Sequence, residues 1–495
     1  CRGLRERSDG DRSFPVTGKE NLVMQPNIVL INCDDLGYGD LGCYGSEKND
    51  TPCLDALAAG GRRFTDFYMA SAICSPSRGA MMTGCYPPRI GFGSFHGEIV
   101  LFPGDCMGLH PDEVTMADVL KNAGYRTMHI GKWHCGDQKE FLPTSHGFDD
   151  YYGLPYSNDM AISEKNVNYP PLPLVHGTVV IEQQPDQRSL TERYTEKSIE
   201  FIRESGRNPF FLYLGHLHVH LPLYAPEHLV KKSRNGDYGA CVMAVDWSTG
   251  AIVEALKKYG VYENTLILFT SDNGSRNDFG ESNGILRGGK GETWEGGLRV
   301  PFIAHWKGKI KPSVSSEMIC SLDLLPSLAK IAGGEVPGDR ILDGQDLSDL
   351  ILGNTEKSAR KVFFYYLHNT LEAARAGEWK LHVAKPRVSR DDEELTRDSS
   401  AVPKPRVDDS VEVRELYHLA VDPSETHNVY DEYPDIVEAI MKEIRRCRED
   451  IGDALTHTAG KNVRAIGYAE NPKPLTEYKE DYPYLVAMYD KTEVG

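Results

Sequence analysis

Short apolar runs recur along the first two thirds of the chain and indicate its architecture. They are rich in β-branched and aromatic residues and comprise Ile28–Ile31, Thr127–Ile130, Phe210–Leu214, Leu266–Phe269 and Val300–Ala304. Runs of this length without polar alternation are typical of strands buried on both faces, as in a parallel sheet. We therefore predict buried parallel strands at these positions.

Longer segments between these runs have the length of helices. They are Val114–Asn122, Thr195–Ile202 and Tyr238–Lys258. Strands that alternate with helices predict an α/β fold in which helices cover both faces of one large sheet. We place this large, catalytic domain at residues 24–358.

A different pattern begins near residue 359 and predicts a C-terminal α+β subdomain and tail over residues 359–495. Its strand-like runs are Phe363–Leu367, Trp379–Val383 and Arg414–Leu419, which together predict a small antiparallel sheet. Tyr433–Asp450 carries apolar residues at helical spacing, which predicts an amphipathic helix. The charged, proline-rich segment 385–409 predicts a long exposed loop, and the tail beyond residue 455 predicts an extended strap.

The first residues of the chain are polar and charged and lack the apolar core of a signal peptide. We expect residues 1–23 to be a disordered or non-native leader, since Met24 stands just before the first strand. A mature lipoprotein that begins at Cys1 is an alternative, and an export signal removed from upstream stays open. The favoured compartment is the cytoplasm of a bacterium.

The composition and net charge of the chain limit the kinds of molecule that it is expected to bind. The chain has 495 residues, a hydrophobic fraction of 40% and a net charge of −18. This charge argues against binding nucleic acids or anionic membrane surfaces, so an anionic substrate would need a local basic pocket. We find no apolar run long enough to span a membrane.

Eleven cysteines are spread along the chain without a C-x-x-C pair or zinc-like spacing. An odd count of this kind fits a reducing compartment. We expect free thiols at Cys33, Cys43, Cys53, Cys85, Cys106, Cys135, Cys241, Cys320 and Cys447.

Residues with candidate chemistry follow four of the predicted strands. They are Asp34-Asp35 after the first strand, Lys132 and His134 after the second, His216, His218 and His220 after the third, and Asp272-Asn273 after the fourth. Ligands of open α/β sheets bind outside the carboxyl ends of the strands. The coincidence predicts a functional site at that edge.

The acidic residues at two of these strand ends offer only oxygen ligands. Asp34, Asp35, Asp272 and Asn273 would suit a hard cation, and calcium tolerates irregular carboxylate geometry better than magnesium. The alternative reading is a helix-capping turn at the first pair and a plain turn at the second. Their occurrence together at two strand ends favours the metal.

The segment Cys74–Arg78 carries a second candidate group. Ser75 is a suitable helix N-cap and Pro76 suits a first turn, so residue 74 would lie at a helix N-terminus, where negative charge is stabilised. A thiol phosphatase would carry arginine six residues after its cysteine, whereas Arg78 follows Cys74 by four.

These motifs, in this order, resemble the type I sulfatases, which depend on formylglycine. The matching stretches are Asp34–Asp40, Cys74–Gly84, Gly131–His134, Tyr156–Asp159, His218–Pro222, Thr270–Gly274, Gly289–Gly297, Glu415–Tyr417 and Asp422–Asn428. The chain is most similar to the group of arylsulfatase A and N-acetylgalactosamine-6-sulfatase. The resemblance implies an alkaline-phosphatase-like fold: a large mixed sheet sandwiched by helices, plus a small C-terminal antiparallel sheet with a helix.

The resemblance also implies the nucleophile and the metal. A maturation enzyme would oxidise Cys74 to formylglycine, whose hydrated aldehyde would attack sulfur with one hydroxyl. Arg78 would orient this group. Calcium would be held by the modified residue 74 together with Asp34, Asp35, Asp272 and Asn273.

Further roles carry over from the matching positions. Lys132, Lys290 and Ser157 would contact the sulfate, and His220 with Lys290 would protonate the departing oxygen. His134 would take a proton from the second hydroxyl and so expel sulfate. Asp272 would help to deprotonate the attacking hydroxyl. Asn158 stands where relatives often have histidine.

The predicted function is hydrolysis of sulfate monoesters of sulfated saccharides, such as glycosaminoglycan fragments, or of aryl or steroid sulfates. A phosphonate monoester or phosphodiester hydrolase of the same fold is one alternative, and an inactive sulfated-glycan-binding protein is another. Specificity is expected in the loops Ile90–Leu109, Ser157–Val180 and Ser275–Gly289, and in the C-terminal subdomain.

Overall fold

The computed structural model describes residues 25–164, 166–386, 410–482, 484–491 and 493. The predicted leader, Met24 and residues 387–409 of the predicted exposed loop lie outside the described residues.

One large mixed sheet forms the centre of the molecule. Its strands are β1 Asn27–Cys33, β2 Arg62–Tyr68, β4 Arg126–Gly131, β5 Asp150–Gly153, β6 Pro173–His176, β7 Val179–Gln183, β8 Phe210–Gly215, β9 Thr265–Ser271, β10 Arg299–His305, β11 Ser313–Ser315 and β12 Ile319–Cys320. Among the described residues these eleven strands follow the order β11-β2-β10-β9-β1-β8-β4-β5-β6-β7, and β12 also pairs with β2. The short strand β3, Met107–Gly108, pairs elsewhere.

The predicted apolar runs all lie within strands of this sheet, and β9, β1, β8, β4 and β5 are parallel, in that order. The prediction that Val300–Ala304 is parallel was wrong, because β10 runs antiparallel to both β9 and β2. After β9 the chain stays at the carboxyl edge of the sheet, and the helix Glu295–Leu298 leads directly into β10. Without a crossover to the opposite edge, the next strand must run back.

Helices cover both faces of the sheet. They are α1 Pro52–Gly60, α2 Cys74–Thr83, α3 Met116–Asn122, α4 Leu190–Ser205, α5 Glu227–Val230, α6 Gly236–Lys258, α7 Glu295–Leu298, α8 Leu324–Ala332 and α9 Ser348–Leu352. Side chains of β1 alternate between two buried clusters: Ile28 and Leu30 belong to one, Val29 and Ile31 to the other. The strand is therefore buried on both faces, which explains its unbroken apolar run.

The helix α6 corrects one expectation. Its length and composition are sufficient to cross a membrane, although the sequence suggested no such run. Within the protein, 72% of that apolar window is buried. Val242 and Val245 pack in the cluster on one face of the sheet, as expected of a core helix.

A second, four-stranded antiparallel sheet forms the C-terminal subdomain, with strands β13 Val362–Leu367, β14 Thr370–Ala376, β15 Trp379–Pro386 and β16 Ser410–His418 in sequential order. The sequence missed β14, because its alanines favour helix and its strand state comes from pairing on both sides. Helix α10, Pro434–Asp450, packs Ile440 and Ile444 into this subdomain's core.

The chain beyond the last long helix runs over the large domain. It contains β17 Gly452–Asp453, β18 Thr458–Ala459, β19 Gly467–Tyr468 and α11 Tyr484–Ala487, and β19 pairs with β3. The hydroxyl of Tyr489 donates to the carbonyl of Pro185 at 2.8 Å. The tail therefore lies as an extended strap, held by short contacts with distant parts of the chain.

Candidate active site

The ends of four parallel strands bring the candidate residues together, because backbone pairing continues past the strands. The amide of Asp34 donates to the carbonyl of His218 at 3.0 Å, and that of Asp272 to the carbonyl of Cys33 at 3.0 Å. The amide of Lys132 donates to the carbonyl of Gly215 at 2.8 Å. These bonds fix the loops that carry the side chains.

A glycine is required where two of these strands end. Gly131 has a φ of +105°, and a Cβ there would lie 1.8 Å from the carbonyl oxygen of Gly215. A side chain would collide with the neighbouring backbone in a conformation that L-residues rarely adopt. Gly131 therefore allows the turn that presents Lys132.

Three buried ion pairs form the centre of the site. The Lys132 ammonium lies 2.5 Å from an Asp34 carboxylate oxygen, and the Lys290 ammonium 2.9 Å from one of Asp35. The guanidinium of Arg78 donates from Nε to Asp272 at 2.8 Å. Each buried carboxylate thus has its own cation, as burial of charge requires.

Arg78 connects three parts of the site. Besides Asp272, it donates from Nη1 to the carbonyl of Lys132 at 2.8 Å, and its Nη2 lies 3.8 Å from Asp34. A planar guanidinium can satisfy acceptors in several fixed directions, which a lysine cannot. Arg78 therefore sets the position of the residues around it.

Cys74 is the first residue of helix α2, and it is buried among these charges. Its Sγ–H donates to Asp34 at 3.5 Å. The prediction that Ser75 caps the helix was wrong, since the N-cap position is Ile73, whose side chain makes no capping hydrogen bond. The hydroxyl of Ser75 instead accepts from the amide of Leu101 at 3.2 Å, which holds the neighbouring loop.

The electrostatic environment differs among the acidic groups. Burial raises the pKa of Asp272 to about 7, an effect that Arg78 only partly offsets. Burial would also raise the pKa of Asp34, but Lys132, His220 and Arg78 together hold it well below its usual range. Burial raises the pKa of the Cys74 thiol, against the lowering effect of Lys132 and Lys290. An unmodified Cys74 would therefore be a poor thiolate.

The two histidines of the site have a defined orientation. His134 Nε2 lies 3.1 Å from the carbonyl of Leu101, and His220 Nδ1 lies 2.6 Å from the carbonyl of Leu221. A carbonyl accepts only from N–H, so the other ring nitrogen is the acceptor in each neutral ring. Burial, together with Lys132 for His134 and Lys290 for His220, lowers both pKa values.

Ser157 lies at one side of the site and links two of its members. Its hydroxyl oxygen accepts from the Lys132 ammonium at 3.1 Å and lies 3.5 Å from His220 Nε2. Asn158 turns away, donating to Gln187 at 2.9 Å and to the carbonyl of Pro222 at 3.4 Å.

His216 and His218 have a structural environment. Both are fully buried, and burial lowers the pKa of His216 to about 3 and that of His218 to about 4. At neutral pH both rings would therefore be uncharged.

The donor set suits a hard cation. Ligand atoms of Asp34, Asp35, Cys74 and His220 lie within 4.8 Å of one another. Among the described residues, the buried Oδ1 of Asn273 has no hydrogen-bond partner, while its Nδ2 donates to Asp35 at 2.7 Å. An orphaned amide oxygen beside two carboxylates fits a calcium ligand. His220 was not predicted as part of this cluster, and Asp272 instead pairs with Arg78.

Several supporting groups escaped sequence reasoning. The Ser77 hydroxyl donates to the carbonyl of Asp272 at 2.5 Å, and Leu101 orients His134 through its backbone. His129 stacks between Tyr151 and Tyr213, with ring centroids at 5.1 and 4.7 Å. Serine at the first helical turn gave a signal for Ser77, but a backbone carbonyl gives none.

The α/β sheet and the charged site at its carboxyl edge define an ester hydrolase of the alkaline-phosphatase-like class, as the comparisons with known proteins bear out. The sulfatase family model matches residues 26–334, and that of the C-terminal region of aryl-sulfatase matches residues 358–467. The chain belongs to the sulfatase family and is a sulfatase enzyme.

Individual relatives cover most of the chain. Arylsulfatase A of Homo sapiens is 39% identical over 468 residues, covering 88% of this chain and 90% of the relative. N-acetylgalactosamine-6-sulfatase of Mus musculus is 36% identical over 440 residues, covering 83% and 84%. The crystal structure of Ps i-CgsB in complex with k-i-k-neocarrahexaose superposes with a TM-score of 0.72 at 29% identity, covering 88% of this chain and 95% of that one.

Proposed function

We propose that this sulfatase hydrolyses sulfate monoesters of saccharides through a formylglycine at position 74 and a bound calcium ion. The observation that carries the proposal is the burial of Cys74 at a helix N-terminus, with Lys132, Lys290 and Arg78 arranged around it. Cysteine itself would be a poor nucleophile here, because burial raises the pKa of its thiol. A hydrated aldehyde needs no thiolate.

Asp34, Asp35 and Asn273 would hold the calcium ion, with residue 74 beside them and Asp272 able to join them. When bound, the ion would stabilise negative charge on the sulfate and on residue 74. Arg78 fixes Asp272 through their ion pair at 2.8 Å. Asp272 would help to accept a proton from the attacking hydroxyl, the role that the resemblance to the sulfatases implies.

The basic side chains would bind the sulfate group. Lys132 and Lys290 now pair with Asp34 and Asp35, so a sulfate oxygen could share their ammonium protons without any large movement. Ser157, 3.1 Å from Lys132, adds a neutral donor. Fixed cations and a hydroxyl at one point are what a spread anionic transition state requires.

Two histidines would move protons on either side of residue 74. His220 Nε2 lies 3.8 Å from Asp35 and faces Ser157, which places it among the sulfate-binding groups. The pair of Lys290 and His220 would protonate the departing oxygen; Nε2 carries no hydrogen in the neutral ring, so the proton would come from the Lys290 ammonium. His134 keeps an acceptor nitrogen free of the Leu101 carbonyl and would take the proton that allows sulfate to leave.

The saccharide assignment draws on relatives. One relative is named N-acetylgalactosamine-6-sulfatase, and a structural neighbour at 29% identity was solved with a neocarrahexaose. The buried site suits a terminal sulfated sugar that enters a pocket better than the interior of a polymer. We therefore favour exo-acting hydrolysis of sulfated saccharide fragments.

The test combines a mass measurement with a substrate panel. The peptide containing Cys74, purified from a host with the maturation enzyme, should carry the mass of an aldehyde, and a Cys74→Ala variant should be inactive. Sulfated mono- and disaccharides should be turned over faster than an aryl sulfate or a phosphonate monoester. An unmodified thiol in active protein would contradict the nucleophile, and preference for the phosphonate would contradict the substrate class.

A further inference from the structure

The loop that carries Lys290 has no regular secondary structure of its own. Between β9 and α7, residues 272–294 form only turns and bends. The amide of Lys290 donates to the carbonyl of Ser275, and that of Gly291 to the carbonyl of Ala72, both at 2.9 Å. The first bond closes the loop on itself, and the second ties it to the segment just before Cys74.

The C-terminal subdomain holds the other side of this loop. The Thr293 hydroxyl donates to Glu372 on β14 at 2.6 Å, and Lys380 on β15 donates to the carbonyl of Thr293 at 2.8 Å. The amide of Glu295 donates to a carboxylate oxygen of Glu425 at 2.7 Å. We call Glu372, Lys380 and Glu425 the clamp.

The clamp is a fully buried, charged assembly. All three of its side chains have no exposed surface, and Lys380 lies 2.8 Å from Glu425 and 3.1 Å from Glu295. Apolar side chains of similar volume would often be as stable at such a place. What apolar side chains cannot supply is directional bonding to a loop backbone.

We propose that the clamp residues are positioning residues for Lys290, so that the C-terminal subdomain takes part in catalysis by fixing this lysine. This inference rests on the role proposed for Lys290 in binding sulfate. The clamp grips the loop at residues 293 and 295, three and five positions after Lys290. A lysine misplaced by about 1 Å loses a large part of its effect on the transition state.

Backbone bonds also link the turn of Asn273 and the middle of the loop to α7, which follows the clamped residues. The amide of Gly274 donates to the carbonyl of Gly297 at 2.9 Å, and that of Gly296 to the carbonyl of Arg287 at 2.8 Å. Arg287 in turn donates to the carbonyl of Glu425 at 3.1 Å. Glu425 therefore also holds the middle of the loop through its carbonyl, whereas the turn of Asn273 is held by α7.

The test is a double-mutant cycle in the full-length protein, measured as kcat and KM on one sulfated sugar. Thr293→Val and Lys380→Met should each lower kcat/KM by about ten- to a hundredfold. In a Lys290→Ala background, the same changes should lower it further by no more than about twofold, because the lysine they position is gone. Thr293→Val removes one hydroxyl and keeps the volume, so it should fold even if Lys380→Met does not.

Tyr366→Phe is the matched control. Its hydroxyl, on β13 of the same small sheet, donates to the carbonyl of Gly452 on β17 at 2.8 Å, far in sequence from the loop. Removing it should affect stability and leave kcat/KM unchanged. Thermal melting of every variant separates loss of fold from loss of position.

The outcomes distinguish the two hypotheses. Full activity of Thr293→Val beside an impaired Lys290→Ala would overturn the positioning role of the clamp and leave the role of Lys290 standing. Losses of equal size in both backgrounds would also overturn it, since a purely structural effect does not depend on Lys290. Undiminished activity of Lys290→Ala would overturn both the clamp and the role proposed for the lysine.

Discussion

Replacing Arg78 by methionine tests whether the buried charges of the site are balanced pair by pair. Arg78 is 1% exposed and bonds Asp272 at 2.8 Å, and Asp272 has no exposed surface. Removing one partner of a buried ion pair leaves an uncompensated charge, which costs about 3–5 kcal/mol. We expect Arg78→Met to lower the free energy of unfolding by that amount in metal-free protein.

The second variant separates stability from activity. Arg78→Met with Asp272→Asn removes both charges, so most of the lost stability should return. Activity should not return, because the guanidinium also bonds the carbonyl of Lys132 and faces Asp34. Calcium should restore part of the stability of the single variant by supplying positive charge nearby.

The assay is urea unfolding followed by fluorescence, with turnover of a sulfate ester measured on the same samples. Arg360→Met is the control, since Arg360 forms an equally buried pair with Asp323 away from the site. It should lose similar stability but keep its kcat while folded. The hypothesis that each buried charge is balanced by its own partner is wrong if Arg78→Met unfolds at the wild-type urea concentration, or if the double variant recovers turnover.

Three further predictions concern pH, backbone and metal. Burial raises the pKa of Glu372 from 4.5 to about 7, so the folded protein keeps a proton on this carboxyl that the unfolded chain has lost. The free energy of unfolding should therefore fall by about 3 kcal/mol as the pH rises from about 4.5 to 7. The stability of Glu372→Gln relative to wild type should therefore grow between about pH 4.5 and 7 and level off above, and a flat difference in melting temperature would argue against the shift. Gly131→Ala should lower the free energy of unfolding by more than the roughly 1–3 kcal/mol that backbone strain alone costs, because the new methyl group also collides with Gly215. Gly124 has a φ of +92° and open space around it, so Gly124→Ala should show the backbone strain alone. A chelator should lower the melting temperature and abolish turnover, and calcium should restore both at lower concentration than magnesium, a preference that calorimetry would disprove if magnesium bound more tightly.

Much of the catalytic domain could be predicted because its signals are local. Ile28–Ile31 is apolar throughout, which predicted a strand covered on both faces, and the acidic pair that follows was expected at the sheet's edge. The free thiols were also predicted correctly: every described cysteine is unpaired. These features depend on side-chain chemistry within a few residues.

Sequence reasoning missed features that depend on distant parts of the chain, such as the direction of a strand or its pairing with neighbours. The direction of β10 follows from a chain that stays at one edge, and β14 is a strand only because β13 and β15 pair with it. Helix α2, which contains Arg78, starts at Cys74 instead of after Ser75, since burial of the whole helix outweighs a local cap preference.

The sequence by itself determined the fold class, the family and the kinds of side chain that the site contains, because motifs and apolar runs consist of residues that are close together along the chain. Tertiary structure alone decided which charge faces which: Arg78 meets Asp272 from 194 positions away, and Lys290 meets Asp35 from 255. It alone showed the clamp, whose bonds end on backbone atoms. Pairing and burial are properties of the folded chain, since a buried charge is stable only beside a partner that folding brings to it.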